Sequence, residues 1–427
     1  MHDGGVAPRD PYPNPVQPGN GGPWADRRLH LIGLGGAGMS AYALAAHALG
    51  ATVSGSDRAW SPYAQRLLEQ TGIETIVGHR AENLPSGDDV VVVHSTAIAP
   101  DNPERVAARE RGLADLPRAD LLGEIARTRR VIAVAGAHGK TTTAAMIAVA
   151  LRAAGLDPAW LIGGEVRDLG SNAGWSTGEW LVVEADESDR SFLALEPEIA
   201  VVTNIELDHH HTYGSQEELE EAFRQFLSRS REQVVFPFDQ AESPALRVPG
   251  DHNRRNAVAA LRACELAGAD LDRCREALSA FTGAKRRFEE LGTTDSGARV
   301  VDDYAHHPTE VAATIAAARS QEPARVIAVF QPHLFSRTQQ LATEFGQALA
   351  GADRSFVLPV YPARERQEDF PGVSAALIAA DEHLESFVQA AQLLGRELRD
   401  GDLCLVMGAG NVDELGRMLA ARGEVSA

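Results

Sequence analysis

The segment spanning residues 131–143 constrains the fold of this 427-residue chain more than any other stretch. The apolar run VIAVA is followed by the glycine-containing turn GAHGK and then by an alanine-rich stretch that extends to residue 154. This order predicts a buried strand, a tight turn and a helix. Backbone N–H groups converge at such a turn and the helix dipole adds positive potential, so the segment predicts an anion-binding site.

This turn is shorter than the strict P-loop, which has a glycine where this chain has Val134. In one interpretation Lys140 contacts a β- or γ-phosphate and the Thr141 hydroxyl binds Mg²⁺. In the other, the segment is a plain strand–helix turn with an exposed lysine. Only Lys140 and Lys285 are lysines among the 40 basic residues. The phosphate loop is favoured because a compact ammonium does what a guanidinium cannot.

The overall composition excludes several classes of protein. A net charge of −20 argues against binding to nucleic acid or to an anionic membrane, since both are polyanions. The chain has no run of about 18 apolar residues and no signal-peptide pattern. The three cysteines lack C-x-x-C spacing, which indicates neither a disulfide framework nor a zinc site. We therefore expect a cytoplasmic protein with no nucleic-acid or membrane partner.

Alternation of apolar strands and helices predicts an α/β protein of three domains. Residues 1–26, rich in proline and glycine, are expected to form a disordered tail. The predicted domains span residues 27–127, 128–290 and 291–427. The first and last are expected to be Rossmann-like, and the central one P-loop ATPase-like.

A second glycine loop opens the first domain. The apolar run LHLI precedes G-x-G-x-x-G at residues 33–38, and a later strand ends in Ser56 and Asp57. This βαβ pattern fits a dinucleotide or the diphosphate of a sugar nucleotide, and the motif does not separate the two. Glycines that serve only close helix–strand packing are a third interpretation. Ser95 follows the strand predicted at residues 90–94, so it is a candidate ligand contact.

Polar residues also follow two further strands of the central domain. Glu184 begins the run EADESD, and Asp208 and His209 lie in the run NIELDHHH. Because parallel strands end at one edge of a sheet, we expect these residues to converge with the Lys140 loop. Such a set suits phosphoryl transfer with Mg²⁺. A solvated acidic loop and a surface histidine run are the plainer alternatives, and a zinc site is the least favoured one.

Three polar groups stand out in the second half of the chain. Asn256 is expected to cap a helix or to contact an adenine edge. The run AKRRF at residues 284–288 is interpreted as a clamp for phosphates or as a solvated basic turn. Arg337 follows a strand predicted at residues 326–330. It would hold an amino-acid carboxylate, cap a helix or remain exposed.

Taken together, the motifs resemble those of the Mur ligases over about residues 28–427, and most of all those of its alanine-adding members. The motifs that carry the resemblance occur in one order, at residues 136–143, 184–189, 204–209, 252–256, 286–288, 303–310 and 331–338.

This resemblance implies an ADP-forming ligase of peptidoglycan precursor synthesis. It would join L-alanine to the lactyl carboxylate of UDP-N-acetylmuramate through an acyl phosphate, with ATP and Mg²⁺, as a monomer or homodimer. The implied catalytic residues are Lys140, Glu184, His209 and Arg287, with Thr141, Glu184 and His209 as metal ligands. The implied ATP contacts are Gly136, His138, Gly139, Lys140, Thr141, Thr142, Asn256, Arg287 and Asp303. The implied substrate contacts are Gly35, Gly36, Gly38, Ser56, Asp57, Ser95, Asn172, Tyr304, His306 and Arg337.

The chain departs from the family pattern at three places. Leu334 stands where some members have arginine, the segment 231–250 is short, and no lysine lies between Lys140 and Lys285 to form a carbamylated metal ligand. Three other functions stay open on the sequence alone. They are a ligase that recycles a whole peptide onto the same sugar nucleotide, an NAD-dependent nucleotide-sugar dehydrogenase, and an inactive binding protein.

Overall fold

A computed structural model describes residues 22–207 and 212–421 of the chain. Asp208 and His209, which the sequence places in the metal site, lie outside the described residues, as does most of the tail predicted at residues 1–26. Within that tail, residues 22–26 include a turn in which Trp24 is buried, and the backbone N–H of Trp24 donates to the Leu49 carbonyl at 3.0 Å. The ordered chain therefore includes residues before 27, because an indole ring packs into the first core.

The strands form three sheets. The first is wholly parallel and has the order β3-β2-β1-β4-β5. Its strands are β1 (Arg28–Ile32), β2 (Thr52–Asp57), β3 (Glu74–Val77), β4 (Val90–His94) and β5 (Ala114–Pro117). This arrangement places β1 at the centre, with the ends of β2 and β4 on either side of the glycine loop.

The second sheet has the order β11-β10-β6-β9-β7-β8 and is parallel except for the antiparallel pair β7–β8. Its strands are β6 (Arg130–Ala135), β7 (Ala159–Val166), β8 (Ser171–Gly174), β9 (Trp180–Glu184), β10 (Ile199–Val202) and β11 (Glu232–Val235). The central strand β6 leads directly into the Lys140 loop, and its neighbours β9 and β10 end beside that loop.

The third sheet has the order β12-β13-β17-β14-β15-β16, with β12–β13 antiparallel. Its strands are β12 (Glu289–Thr293), β13 (Arg299–Asp303), β14 (Arg325–Phe330), β15 (Arg354–Val357), β16 (Glu382–His383) and β17 (Asp402–Met407).

Helices connect the strands and cover the sheets. They are α1 (Ala37–Ala48), α2 (Pro62–Glu69), α3 (Pro103–Glu110), α4 (Arg118–Ala126), α5 (Lys140–Ala153), α6 (Gln216–Ser228), α7 (Asp251–Leu266), α8 (Leu271–Ala280), α9 (Pro308–Arg319), α10 (Phe335–Leu349), α11 (Phe387–Glu397) and α12 (Asp413–Ala420). Across the described ranges, none of them has both the length and the apolar character needed to cross a bilayer.

The chain divides into two compact units. One is built from Met1–Phe238 and Ala259–Leu278 and contains the first two sheets, and the other is built from Asp239–Val258 and Ser279–Ala427 and contains the third. Strands β6, β9 and β10 are almost wholly buried, as expected for parallel strands covered on both faces. In the first unit Phe192 packs against Phe223 and Phe226, with ring centroids 5.2 Å apart in each pair.

Candidate active site

The Lys140 loop is shaped by two glycines with positive φ. Strand β6 ends at Ala135, Gly136 has φ +136° and Gly139 has φ +82°. A Cβ on Gly136 would lie 2.2 Å from the Thr203 hydroxyl oxygen and 2.9 Å from the Asn204 carbonyl oxygen, so no larger residue fits without displacing the residues that follow β10. The helix α5 begins at Lys140, directly after the predicted glycine turn, because the turn is complete at Gly139. Free N–H groups of the first helical turn therefore begin at the lysine itself.

Residues that follow β10 hold this loop in place. The Asn204 side chain accepts from the His138 N–H at 3.0 Å and donates to the His138 carbonyl at 2.8 Å. Thr203 donates to the same carbonyl at 2.6 Å. The His138 ring in turn contacts Glu206, with Nε2 and Oε2 3.1 Å apart. The His138 side chain, predicted to contact ATP, is thus at the loop and faces a carboxylate.

Lys140 extends its ammonium back over the loop. Its Nζ donates to the Gly136 carbonyl at 2.6 Å and to Glu187 Oε1 at 2.9 Å. Burial alone would lower the pKa of Lys140, but the carboxylates of Glu187 and two neighbours raise it, so the side chain stays charged. Burial, more than any other influence, raises the pKa of Glu187 to about 7, and Lys140 opposes this. The loop therefore carries a positive charge whose partner is Glu187, a side chain that burial disfavours in its ionised form.

Thr141 and Glu184 meet at the start of α5. The Thr141 hydroxyl donates to Glu184 Oε1 at 3.0 Å, and the Gly163 N–H donates to Oε2 at 2.6 Å. A Cβ on Gly163 would come within 2.8 Å of this carboxylate, so β7 can approach only as glycine. A hydroxyl and a carboxylate are hard oxygen donors of the kind that Mg²⁺ prefers, so this pair fits the expected metal. The third predicted ligand, His209, lies outside the described residues.

An acidic loop after β9 joins this centre to the first sheet. Arg118, the first residue of α4, donates through Nε to Asp189 at 2.9 Å and through Nη2 to Asp186 at 2.8 Å. Burial would raise the pKa of Asp186, but Lys140 and Arg118 lower it to about 2. The sequence assigned no role to Arg118, and a solvated acidic loop was one of the alternatives for the residues after Glu184. The position of Arg118 directly after β5 was the available signal.

The glycine loop of the first sheet is braced by Asp57. Its Oδ2 accepts from the Gly35 N–H at 2.8 Å, and a Cβ on Gly35 would lie 2.4 Å from the Ala59 carbonyl. Gly36 precedes α1 and no side chain caps this helix end. Gly38 lies in its first turn. The predicted substrate residues of this loop are thus together at a helix N-terminus, the usual place for a phosphate.

Three other predicted substrate residues of the first unit, Ser95, Ser56 and Asn172, lie close to the glycine loop or beneath it. Ser95 lies beside Gly33, where an added Cβ would be 3.0 Å from the serine Cβ. Ser56 is fully buried and donates to Glu104 at 2.6 Å. Asn172 is also fully buried; its amide donates to the Ala37 carbonyl at 2.9 Å and its carbonyl accepts from a tyrosine hydroxyl. The side chains of Ser56 and Asn172 therefore support the loop in this conformation.

Glu104 is a buried residue that the sequence analysis missed. Its carboxylate accepts from Ser56, from the Asn83 side chain at 2.6 Å and from the Arg80 N–H at 3.2 Å, and it lies 3.3 Å from His30 Nε2. Burial would raise the pKa of Glu104, but these hydrogen bonds lower it. The carboxylate thus ties strands β1 and β2 to the loop after β3 beneath the glycine loop.

The remaining predicted residues belong to the second unit. Burial raises the pKa of Asp303, and Arg287 opposes this. The carboxylate oxygens of Asp303 accept from the backbone N–H groups of Phe288 and Ala305, each at 2.8 Å. Arg287 lies 3.4 Å from Glu310. Asp303 thus anchors the basic turn to the end of β13. Asn256 is buried on α7.

Three predicted amino-acid contacts surround the ends of β13 and β14. Arg287 lies over the Tyr304 ring, with its guanidinium carbon 5.2 Å from the ring centroid. The Tyr304 and His306 rings are 5.3 Å apart, and the His306 and His333 rings 6.3 Å apart. Arg337 Nη1 lies 3.3 Å from His333 Nδ1. The second unit therefore gathers Arg287, Tyr304, His306 and Arg337 at one end of its sheet.

Comparison with known proteins agrees with this architecture. Family models match residues 28–130 (Mur ligase family, catalytic domain), 134–247 (Mur ligase middle domain) and 286–410 (Mur ligase, glutamate ligase domain). A UDP-N-acetylmuramate–L-alanine ligase from Desulforamulus reducens is 39% identical, over 93% of this chain and 98% of that protein. One from Saccharopolyspora erythraea is 42% identical, over 93% of each chain.

A solved structure extends the comparison to three dimensions. The UDP-N-acetylmuramate–alanine ligase from Thermotoga maritima superposes with a TM-score of 0.78 at 27% identity, covering 94% of this chain and all of that one. The three-part α/β fold expected from the sequence is thereby confirmed. With family models along most of its length and relatives near 40% identity over more than nine-tenths of it, the chain belongs to the Mur ligase family.

Proposed function

We propose that this protein joins L-alanine to the carboxylate of UDP-N-acetylmuramate in peptidoglycan synthesis, forming ADP and phosphate through an acyl phosphate. Mur ligases are ATP-dependent ligases, and the relatives that match nearly the whole chain are named for this reaction. The observation that carries the proposal is the Lys140 loop, where a charged lysine and Thr141 begin α5 and the Thr141 hydroxyl donates to Glu184 at the end of β9.

Each residue of the loop has a definite part in this proposal. Lys140 is poised to leave Glu187 for the transferring phosphoryl group, whose charge it would offset. Thr141 and Glu184 would hold Mg²⁺ with His209, and Gly136, His138, Gly139 and Thr142 would shape the phosphate site. When bound there, Mg²⁺ would supply Lewis-acid stabilisation of phosphate charge.

The other predicted residues provide the acid and the amine. The glycine loop with Gly35, Gly36 and Gly38 would hold the sugar nucleotide, supported by Ser56, Asp57, Ser95 and Asn172. In the second unit, Asn256, Arg287 and Asp303 would contact ATP, and Tyr304, His306 and Arg337 would orient L-alanine. The proposal also includes a cytoplasmic location, since UDP-sugar and ATP are cytoplasmic substrates, and a monomer or homodimer. The predicted domain boundaries at residues 27, 128 and 291 stay part of it.

A phosphate-release assay with UDP-N-acetylmuramate, ATP, Mg²⁺ and L-alanine tests the proposal. We expect alanine-dependent phosphate from the wild type and a loss of about 10²–10³-fold for Lys140→Ala, the usual cost of removing a charge-stabilising group. Lys140→Arg, which keeps the charge but not the compact ammonium, should recover little. Arg396→Ala, which removes a cation from an exposed position on α11, is the matched control.

Three results would contradict the proposal. The first is a wild type that releases no alanine-dependent phosphate. The second is a wild type that uses a tripeptide in preference to L-alanine, which would indicate a recycling ligase. A change in NADH absorbance with the sugar nucleotide would indicate a dehydrogenase.

A further inference from the structure

Arg118 connects the two loops on which the proposed reaction depends. It begins α4 at the end of the first sheet, yet its side chain reaches the acidic loop that follows β9 of the second sheet. The same acidic loop contributes Glu187 to Lys140. Arg118 and Lys140 are therefore two cations bound by the same acidic loop, and Arg118 is the one that lies beside the glycine loop of the first sheet.

The two edges of the Arg118 guanidinium have different surroundings. Nε and Nη2 are held by Asp189 at 2.9 and 2.6 Å, and Nη2 also by Asp186. Among residues 22–207 and 212–421, no acceptor lies within hydrogen-bonding distance of Nη1. That nitrogen faces the first turn of α1, where a Cβ on Gly38 would lie 3.4 Å away.

The first turn of α1 supplies matching donors. No side chain caps this helix at Gly36, and its first turn lies beside Nη1, since a Cβ on Gly38 would be 3.4 Å from that nitrogen. The first N–H groups of a helix have no partner within the helix, so they can donate to an anion. Tyr42, one turn further along α1, is buried, and burial raises its pKa to about 12, so its neutral hydroxyl adds no negative charge beside Arg118. Asp186 and Asp189 are the carboxylates facing the guanidinium, and both are already bound to its other edge.

We propose that Arg118 binds the diphosphate of the sugar nucleotide through Nη1, and that Asp186 and Asp189 are positioning residues which aim it. This inference rests on the proposed function and adds a binding residue to it. A planar guanidinium held along one edge keeps its remaining N–H groups fixed, which suits an oxygen-rich anion. Because one loop contacts both Arg118 and Lys140, the acid and the phosphoryl donor are held in register.

Binding measurements on the intact protein test this without turnover. Calorimetric titrations with UDP, uridine, UDP-N-acetylglucosamine and UDP-N-acetylmuramate would be run on the wild type, Arg118→Ala and Arg118→Lys. We expect both variants to lose about 10- to 100-fold in affinity for the three diphosphates, the usual size for hydrogen bonds to charged groups. Uridine binding should change less than 2-fold. Asp186→Asn and Asp189→Asn should show smaller losses of the same kind.

A structural tie between the two loops predicts different results. If Arg118 served only as such a tie, the double variant Arg118→Asp with Asp189→Arg would recover both the melting temperature and the UDP affinity that Arg118→Asp alone loses. That result would overturn the proposal. We expect the double variant to restore the melting temperature alone. Unchanged diphosphate affinity in Arg118→Ala also overturns it, as does a loss confined to UDP-N-acetylmuramate, which would assign Arg118 to the sugar's carboxylate. Arg396→Ala is again the control.

The two proposals can fail separately. If the wild type binds UDP-N-acetylmuramate in an Arg118-dependent way but releases no alanine-dependent phosphate, the proposed function fails and the binding role stands. If the wild type turns over and Arg118→Ala binds diphosphates normally, only the role of Arg118 fails.

Discussion

Glu187 makes the stability of the first unit depend on pH in a direction unusual for an acidic side chain. Its side chain is 3% exposed, with Oε1 2.9 Å from Lys140 Nζ, and its pKa is raised by burial from 4.5 to about 7. The folded protein therefore keeps a proton between these pH values that the unfolded chain releases. Stability contributed by this group is full below about pH 4.5 and is lost as pH rises to about 7.

The size of this effect follows from the two pKa values. A difference from 4.5 to about 7 corresponds to roughly 3 kcal/mol of unfolding free energy. Glu187→Gln removes the titration while keeping the shape of the side chain. The stability of the variant minus that of the wild type should therefore rise by roughly 3 kcal/mol between pH 4.5 and pH 8. For a unit of roughly 250 residues this is about 6 °C in melting temperature.

Thermal unfolding of both proteins at constant ionic strength, in steps from pH 4.5 to pH 8, measures the difference. Glu265→Gln on α7 is the matched control, because it makes the same chemical change at an exposed position of the same unit and should give a flat difference. A flat difference for Glu187→Gln, or one that falls as pH rises, would refute the reasoning. It would mean that Lys140 compensates fully for the burial of the carboxylate.

Two further predictions concern the glycine turn and the buried network. Gly136→Ala should lose about 2–4 kcal/mol of stability and raise the KM for ATP, because the new Cβ would collide with Thr203; thermal unfolding and steady-state kinetics measure this, and near-wild-type values for both would contradict it. Glu104→Ala should cost about 3–5 kcal/mol and Glu104→Gln less, since the amide keeps part of the hydrogen bonding to Ser56. Denaturant unfolding compares them, and equal costs would count against a carboxylate network.

Sequence patterns located the elements that carry a strong local signal. The strand predicted at residues 90–94 is β4, and the one predicted at 326–330 is β14 apart from its first residue, because both are apolar runs bounded by polar residues. The helix after the Lys140 loop begins at Lys140, four residues before the alanine-rich stretch. Alanine spacing indicates a helix but not its first turn, which here is set by the left-handed backbone of Gly139.

Features that depend on distant contacts were not predictable in this way. Strand β8 has the sequence SNAG, which lacks β-forming residues, and it is a strand because it pairs with β7. The segment at 231–250, described above as short, contributes β11, the edge strand of a six-stranded sheet. The link from Arg118 to Asp186 joins residues 68 positions apart, and no local pattern records that distance.

The division of the chain into compact units has a consequence for its synthesis. The first unit includes Ala259–Leu278, whereas Asp239–Val258, which precede that segment in the chain, belong to the second. Cys274 of the late segment donates to the Ala150 carbonyl on α5 at 3.6 Å, on the helix that begins at Lys140. Domains commonly fold as they emerge from the ribosome. Here the contact between α5 and the segment Ala259–Leu278 can form only after residue 278 has been synthesised. A fragment that ends at Phe238 would leave that side of α5 uncovered.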